Sequence, residues 1–237
     1  MIKFFRRIRQ NLIAENKTSK YFKYAIGEII LVVIGILIAL QINNWNENRK
    51  DRAKEQIILR EIHSVFNKNL NDFYPVKQKQ IKTYERGEVV LRNIKKMHIP
   101  ASRDSVYKNA SSMFGGYPYH PSNGSVESLI SSGEINLIIN DSLRRLLVSW
   151  KDVLNDYTEE VHFDREVWVN HIEPYVIKHG DFLDFGSPKN IKLLSDTVFV
   201  NMLVRKQFFQ KNIVQAINGK NGLEHHLQEI VRLSKTN

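Results

Sequence analysis

The side chains best suited to chemistry gather in one short stretch: His162, Asp164, Glu166, His171 and Glu173. Imidazoles and carboxylates are the ligands of hydrolytic metal ions, which activate a bound water. The spacing argues against such a centre. His162 and Glu166 are i,i+4 neighbours on a helix, but His171 stands nine positions beyond His162 and off its face. No HExxH or facial-triad spacing occurs. A solvated helix face or interhelix hydrogen bonds accommodate the same residues. His225 and Glu229 form another i,i+4 pair, next to His226, with no third ligand nearby.

Other features fall short in the same way. Ser111, Ser112, Ser128, Ser131 and Ser132 include no G-x-S-x-G elbow with an assignable base. Gly115-Gly116 lacks the strand-loop-helix setting of a phosphate cradle. Residues 117–124 form an aromatic, proline-bearing loop, YPYHPSNG. With Trp150 and Trp168 it reads as core and rim, and as a ligand-contacting loop in the sharper reading. Cysteine is absent, which removes thiolate catalysis, thiolate metal sites and disulfides. No catalytic, cofactor-binding or metal-binding residue is therefore assigned, and no cofactor is implied.

These residues belong to a soluble module that follows an apolar run, Ala25 to Ile42, whose centre from Ile29 to Leu40 has no polar side chain. At 1.5 Å per residue the run reaches about 27 Å, close to a bilayer's hydrocarbon thickness. Glu28, one turn inside the boundary, can snorkel or pair with Lys20 or Lys23. Tyr21, Phe22 and Tyr24 on one side and Trp45 on the other match interfacial aromatic belts. A small-x-small cleavage site is missing after the run, so it reads as an uncleaved signal anchor. Residues 1–24 carry seven basic side chains against Glu15, a net +6, whereas residues 43–60 carry a net +2. That asymmetry places the N-terminus in the cytoplasm and the module outside it.

The whole chain of 237 residues has a formal charge of +10, but much of it is concentrated before the apolar run. The rest is mixed in sign and lacks the basic stripe of a nucleic-acid binder. Asn140 to Arg145 faintly resembles a helix-turn-helix, yet a domain outside the cytoplasm meets no DNA. Expected partners are the bilayer itself and anionic lipid headgroups at the basic end. A homodimer is possible through Gly35 and Ala39, as is a membrane or periplasmic protein partner.

Hydrophobic periodicity makes the fold all-α: an N-terminal transmembrane helix continuing into a stalk and an extramembrane helical bundle. Three segments follow: 1–19, a basic amphipathic piece with Phe5, Ile8 and Leu12 on one face; 20–45, the anchor; and 46–237, the helical domain. The apolar stripe of Leu59, Ile62, Phe66, Leu70 and Phe73 meets Pro75, where a kink or a hairpin is expected. Asp104 and Ser125 are expected helix caps, with Gly133 a stop and Asn140 a strong N-cap. The longest stripe runs from Leu143 to Ile172 and should end at Pro174, with residues 178–190 a loop. Asp196 caps the final helical region, which Asn218-Gly219 and Asn221-Gly222 can interrupt.

The segment FFRRIRQNLIAENK, the run YAIGEIILVVIGILIALQINNWNE and the stretch SLISSGEINLIINDSLRRLL together resemble a family of uncharacterised single-pass inner-membrane proteins of Bacteroidota. The resemblance implies an inner-membrane anchor with a periplasmic helical domain and carries over no activity or site residue. The reading is a membrane-anchored periplasmic protein acting as a non-enzymatic sensor, adaptor or scaffold. The alternative is a periplasmic metal-dependent hydrolase using His162, Glu166 or His171.

Overall fold

The apolar run and the first apolar stripe of the domain lie on one long helix, α1 (Thr18–Asn93), in the computed structural model of the chain. The structure describes residues 18–184 and 186–236. The basic amphipathic piece before Thr18 lies outside the described residues. The chain divides into two units, Met1–Glu55 and Gln56–Asn237.

In the first unit, an 18-residue window has a mean hydropathy of 2.6, and none of it is buried within the protein. Ile29, Leu31, Leu37 and Ile42 are each more than half exposed. A core helix would bury at least one face, whereas a helix apolar all round and uncovered by protein suits lipid. This helix is long and apolar enough to cross a membrane. Beyond it, Glu47 pairs with Lys50 at 3.2 Å, a solvated i,i+3 pair.

In the second unit, α1 buries Ile62, Phe66, Leu70 and Phe73 at helical spacing. Pro75 lies inside the helix, which continues without a hairpin. An interior proline removes a backbone bond and costs about 3 kcal/mol. Packing on both sides offsets it: Phe73 is fully buried and Val76 packs on the same core. A 3-10 turn (Ile94–Lys96) precedes α2 (Pro100–Ala110), which starts on a proline at its first turn. Asp104 therefore sits within α2 and does not cap it. A second 3-10 turn (Ser111–Phe114), the 115–123 loop and α3 (Gly124–Ser131) follow. Asn123 occupies the N-cap of α3, and the Ser125 hydroxyl donates to Glu61 Oε1 at 2.8 Å instead of capping.

Gly133 ends this piece at φ +77°, a left-handed turn that an L side chain resists, and a 3-10 turn (Glu134–Leu137) leads to α4 (Asp141–Val167). Asn140 caps α4 by accepting from the Leu143 amide at 3.1 Å. The helical path does not end at Pro174. It passes through a π-helical turn (Trp168–Ile172) into α5 (Glu173–His179), with the proline in the first turn of α5, where no amide is needed. After α6 (Pro188–Leu194), Asp196 caps α7 (Thr197–Asn218) through the Phe199 amide at 3.0 Å. The glycines at 219 and 222 break the path before α8 (Leu223–Ser234). Among the described residues there is no strand.

Two apolar cores lie along these helices. One joins α1, α3, α4, α7 and α8 around Phe66, Trp150, Tyr157, Ile213 and Leu227. The other joins α1, α2, α6 and α7 around Val90, Val106, Leu193, Phe199 and Leu203, with Ile172 of the π turn. Buried polar residues occupy the level between them: Gln80 and Thr83 on α1, Asp164 on α4, and Lys206, Gln207 and Gln210 on α7.

Candidate functional site

The seam between the cores opens into a cleft of about 610 Å³. Its floor is an ion pair. Lys206 Nζ lies 2.7 Å from both Asp164 oxygens, and each residue is 1% exposed. Burial is the largest influence on both groups: it pushes the Asp164 carboxyl up and the Lys206 ammonium down, while their mutual attraction opposes each shift. An ammonium carries three N–H donors, and Asp164 takes two of them.

One wall is the 115–123 loop, held in place by side chains from α1 and α4. Gln80 Nε2 and the Tyr157 hydroxyl both donate to the Tyr117 carbonyl at 3.0 Å. Asn69 pairs with Ser122 as a strand would: its amide donates to the Ser122 carbonyl and its oxygen accepts the Ser122 amide, each at 3.0 Å. The Tyr119 hydroxyl donates to the Asn69 carbonyl at 2.9 Å, and Trp150 Nε1 donates to Asn123 Oδ1 at 2.8 Å. Backbone groups that would otherwise be unsatisfied near the core are thus paired, which fixes the loop. Burial pushes the Tyr157 phenol up to about 12 and raises that of Tyr119 as well, so neither ionises near neutrality.

The opposite wall is the C-terminal part of α4 with the π turn, and π turns occur frequently at functional sites. His162, Arg165, Trp168 and Glu173 face the cleft from there, and His120 faces it from the loop. Trp168 packs on Phe114 with ring centroids 4.9 Å apart. Behind those two rings lies a second chamber of about 360 Å³, also lined by both, and by Met113, Leu193, Phe199 and Leu203. The Tyr107 hydroxyl, buried at its wall, has no hydrogen-bond partner among the described residues.

Of the residues singled out by sequence, His162, Asp164 and Glu173 line the same cleft, but they do not converge on one point. Asp164 turns inward to Lys206, whereas His162 and Glu166 pair with each other on the surface at 3.4 Å. His171 is exposed, and Glu173 reaches the cleft without a histidine partner. Glu229 is taken by Arg232 through two contacts of 2.9 and 2.7 Å, and His226 Nε2 by the Ser149 hydroxyl at 3.0 Å. Among the described residues no group of three His, Asp or Glu side chains converges as metal ligands. The serines are helix and turn residues, such as Ser131, whose hydroxyl donates to the Ser128 carbonyl.

Gln80, Lys206, Gln207 and Gln210 were missed by motif reasoning, yet a signal was present. On α7 the apolar positions Leu203 and Ile213 are joined at helical spacing by Lys206 and Gln210. On α1 Gln80 and Thr83 interrupt the stripe between Phe73 and Val90. Polar residues in register with a core face on both helices mark a buried layer. Close packing supports it: a Cβ at Gly87 would lie 1.9 Å from Gln207 Oε1, and Gln207 Nε2 donates to Tyr84 O and Glu88 Oε1 at 2.9 Å each.

Chemically, the cleft offers a buried ammonium donor, charges of both signs at its rim and aromatic walls, next to an apolar chamber. These are features that bind and orient a ligand. No curated protein and no solved structure matches the chain. Residues 28–212, from the apolar run through most of α7, match the Family of unknown function (DUF6090), and the chain belongs to that family.

Proposed function

We propose that the chain is a single-pass inner-membrane protein, as in the Bacteroidota proteins it resembles. In this reading residues 1–19 are cytoplasmic, 20–45 form the anchor, and 46–237 form a periplasmic domain that acts as a non-enzymatic sensor, adaptor or scaffold. The observation that carries the proposal is helix Thr18–Asn93. One element holds the apolar run and, further along, the stripe Ile62, Phe66, Phe73 and Val90 that contributes to both cores of the domain. The steep fall in basic charge across the apolar run supports the orientation. Anionic headgroups at the basic end, and a second copy or another envelope protein at the domain, are the partners in this reading.

The test is crosslinking in intact cells, followed by extraction and mass spectrometry of what copurifies. A near-stoichiometric membrane or periplasmic protein, or a crosslinked homodimer, is the expected result. Substrate turnover by the purified chain would refute the non-enzymatic part. Activity of a cytoplasm-only reporter fused after Asn237 would refute the orientation.

A further inference from the structure

The cleft and the chamber share the Phe114–Trp168 pair as a common wall. One compartment is predominantly apolar, although Tyr107, Ser111, Asp181 and Asn190 also line it, and the other has a charged floor and rim. We propose that together they form one site for a single-chain phospholipid with a zwitterionic head. The acyl chain occupies the chamber, the phosphate meets Lys206 and Arg165, and the head's ammonium meets Glu173. This inference concerns the domain alone and holds on whichever side of the membrane the domain lies.

Size is the first argument. A cavity of about 150 Å³ holds benzene, so the chamber's 360 Å³ accommodates a chain of roughly 12 to 14 carbons. Met113, Leu193, Phe199 and Leu203 give that chain the contacts it loses on leaving a bilayer. The cleft, at about 610 Å³, is larger than a bare carboxylate requires and suits a phosphodiester head.

Charge is the second argument. Lys206 retains one N–H beyond the two that Asp164 accepts. Arg165 and Glu173 face the same cleft with opposite signs, and His120 and His162 line it too. Lys206 and Arg165 balance Asp164 and Glu173. The lining therefore favours a head carrying both signs over a simple anion.

The third argument is the wall itself. Trp168 begins the π-helical turn, where the backbone bonding already departs from the α pattern. A small rotation there moves the indole away from Phe114 and joins the two compartments.

The experiment uses the full chain in bilayer nanodiscs of a diacyl phosphatidylcholine. The probe is a myristoyl lysophosphatidylethanolamine with a diazirine at the chain terminus. Photolabelling is expected within residues 107–115 or 190–203. Each methylene removed from unlabelled competitors should weaken competition up to about fourfold. Ala110 lines the chamber, and Ala110→Phe should reduce labelling at least about tenfold by filling it. Arg165→Gln, an exposed position, should weaken binding about threefold to tenfold. Glu173→Gln should abolish the preference for lysophosphatidylethanolamine over lysophosphatidylglycerol. Circular dichroism and melting temperature confirm that each variant is folded. Labelling confined to α1, equal competition by free myristate, or unchanged labelling in a folded Ala110→Phe variant would overturn the proposal.

Discussion

Replacing Asp164 by Asn tests the buried pair at the centre of the seam. The substitution keeps the shape and leaves Lys206, 1% exposed, without a counter-charge. Removing one partner of a buried ion pair costs about 3–5 kcal/mol, because the remaining charge has neither water nor partner. For a domain in the size class of Gln56–Asn237, 1 kcal/mol moves the melting temperature by about 2–4 °C. The expected fall is therefore roughly 6–20 °C. It is read from thermal unfolding of the full chain in micelles by circular dichroism. The double variant Asp164→Leu, Lys206→Met removes both charges and restores the wild-type melting temperature to within about 3 °C, or exceeds it. The pH dependence has a definite sign. Burial holds the folded lysine below its ordinary 10.5, so the unfolded state of Asp164→Asn binds more protons in that interval. Its stability then rises, and the deficit shrinks, as the pH climbs toward 10.5. A single variant melting within about 3 °C of wild type, or a double variant as damaged as the single one, would refute this account of the seam.

Three further outcomes follow from the same geometry. Asn69→Ala removes both bonds to Ser122 from a residue 1% exposed; it should cost about 2–3 kcal/mol and expose the 117–123 loop to limited proteolysis, which leaves the wild type uncut there. Asn140→Ala deletes the cap on the Leu143 amide and should lower stability by about 1 kcal/mol, measured by urea unfolding with an unchanged slope. His226 is held below its ordinary 6.5 by burial first and by His225 second. Its stabilising contribution is therefore complete above pH 6.5 and declines as the pH falls below it. Ser149 contacts its ring, while Glu229, Arg145 and Arg232 line the surface around His225 nearby. His226→Gln should flatten the loss of melting temperature between about pH 7 and pH 5.5.

Much of the architecture was legible because its causes are local. The Asn140 and Asp196 caps, the Gly133 stop and the break at residues 219–222 each depend on one side chain or one glycine. The 27 residues of α4 announced themselves through an unbroken apolar period. At Pro75, where a kink or a hairpin is expected, the structure excludes the hairpin, and Pro174 does not end the helical path. Pro75 stays inside a helix clamped by Phe73 and Val76, and Pro174 falls in a first turn where its missing amide costs nothing. The site was less legible because its key pair is non-local. Asp164 and Lys206 are 42 positions apart, and nothing in either local sequence points to the other. Asp164 was noticed for its histidine neighbours and found a lysine instead. The cleft's loop stood out by composition, but Asn69 and Gln80, which anchor it, carry no motif at all.

The polar level between the two cores also has a consequence for cooperativity. An apolar core resists opening because every exposed methylene adds to the cost, whereas a layer of amides and charges can exchange its internal bonds for bonds to water. The domain is thus expected to open first at this level, between two apolar blocks joined by α1, α4 and α7. Hydrogen exchange should report this directly. Amides flanking Gln80, Asp164 and Lys206 should exchange through sub-global opening, while those near Phe66, Ile213 and Leu227 wait for global unfolding. Occupancy of the cleft would then slow exchange along all three helices at that level, so that binding is recorded as a gain in cooperativity between blocks that otherwise breathe separately.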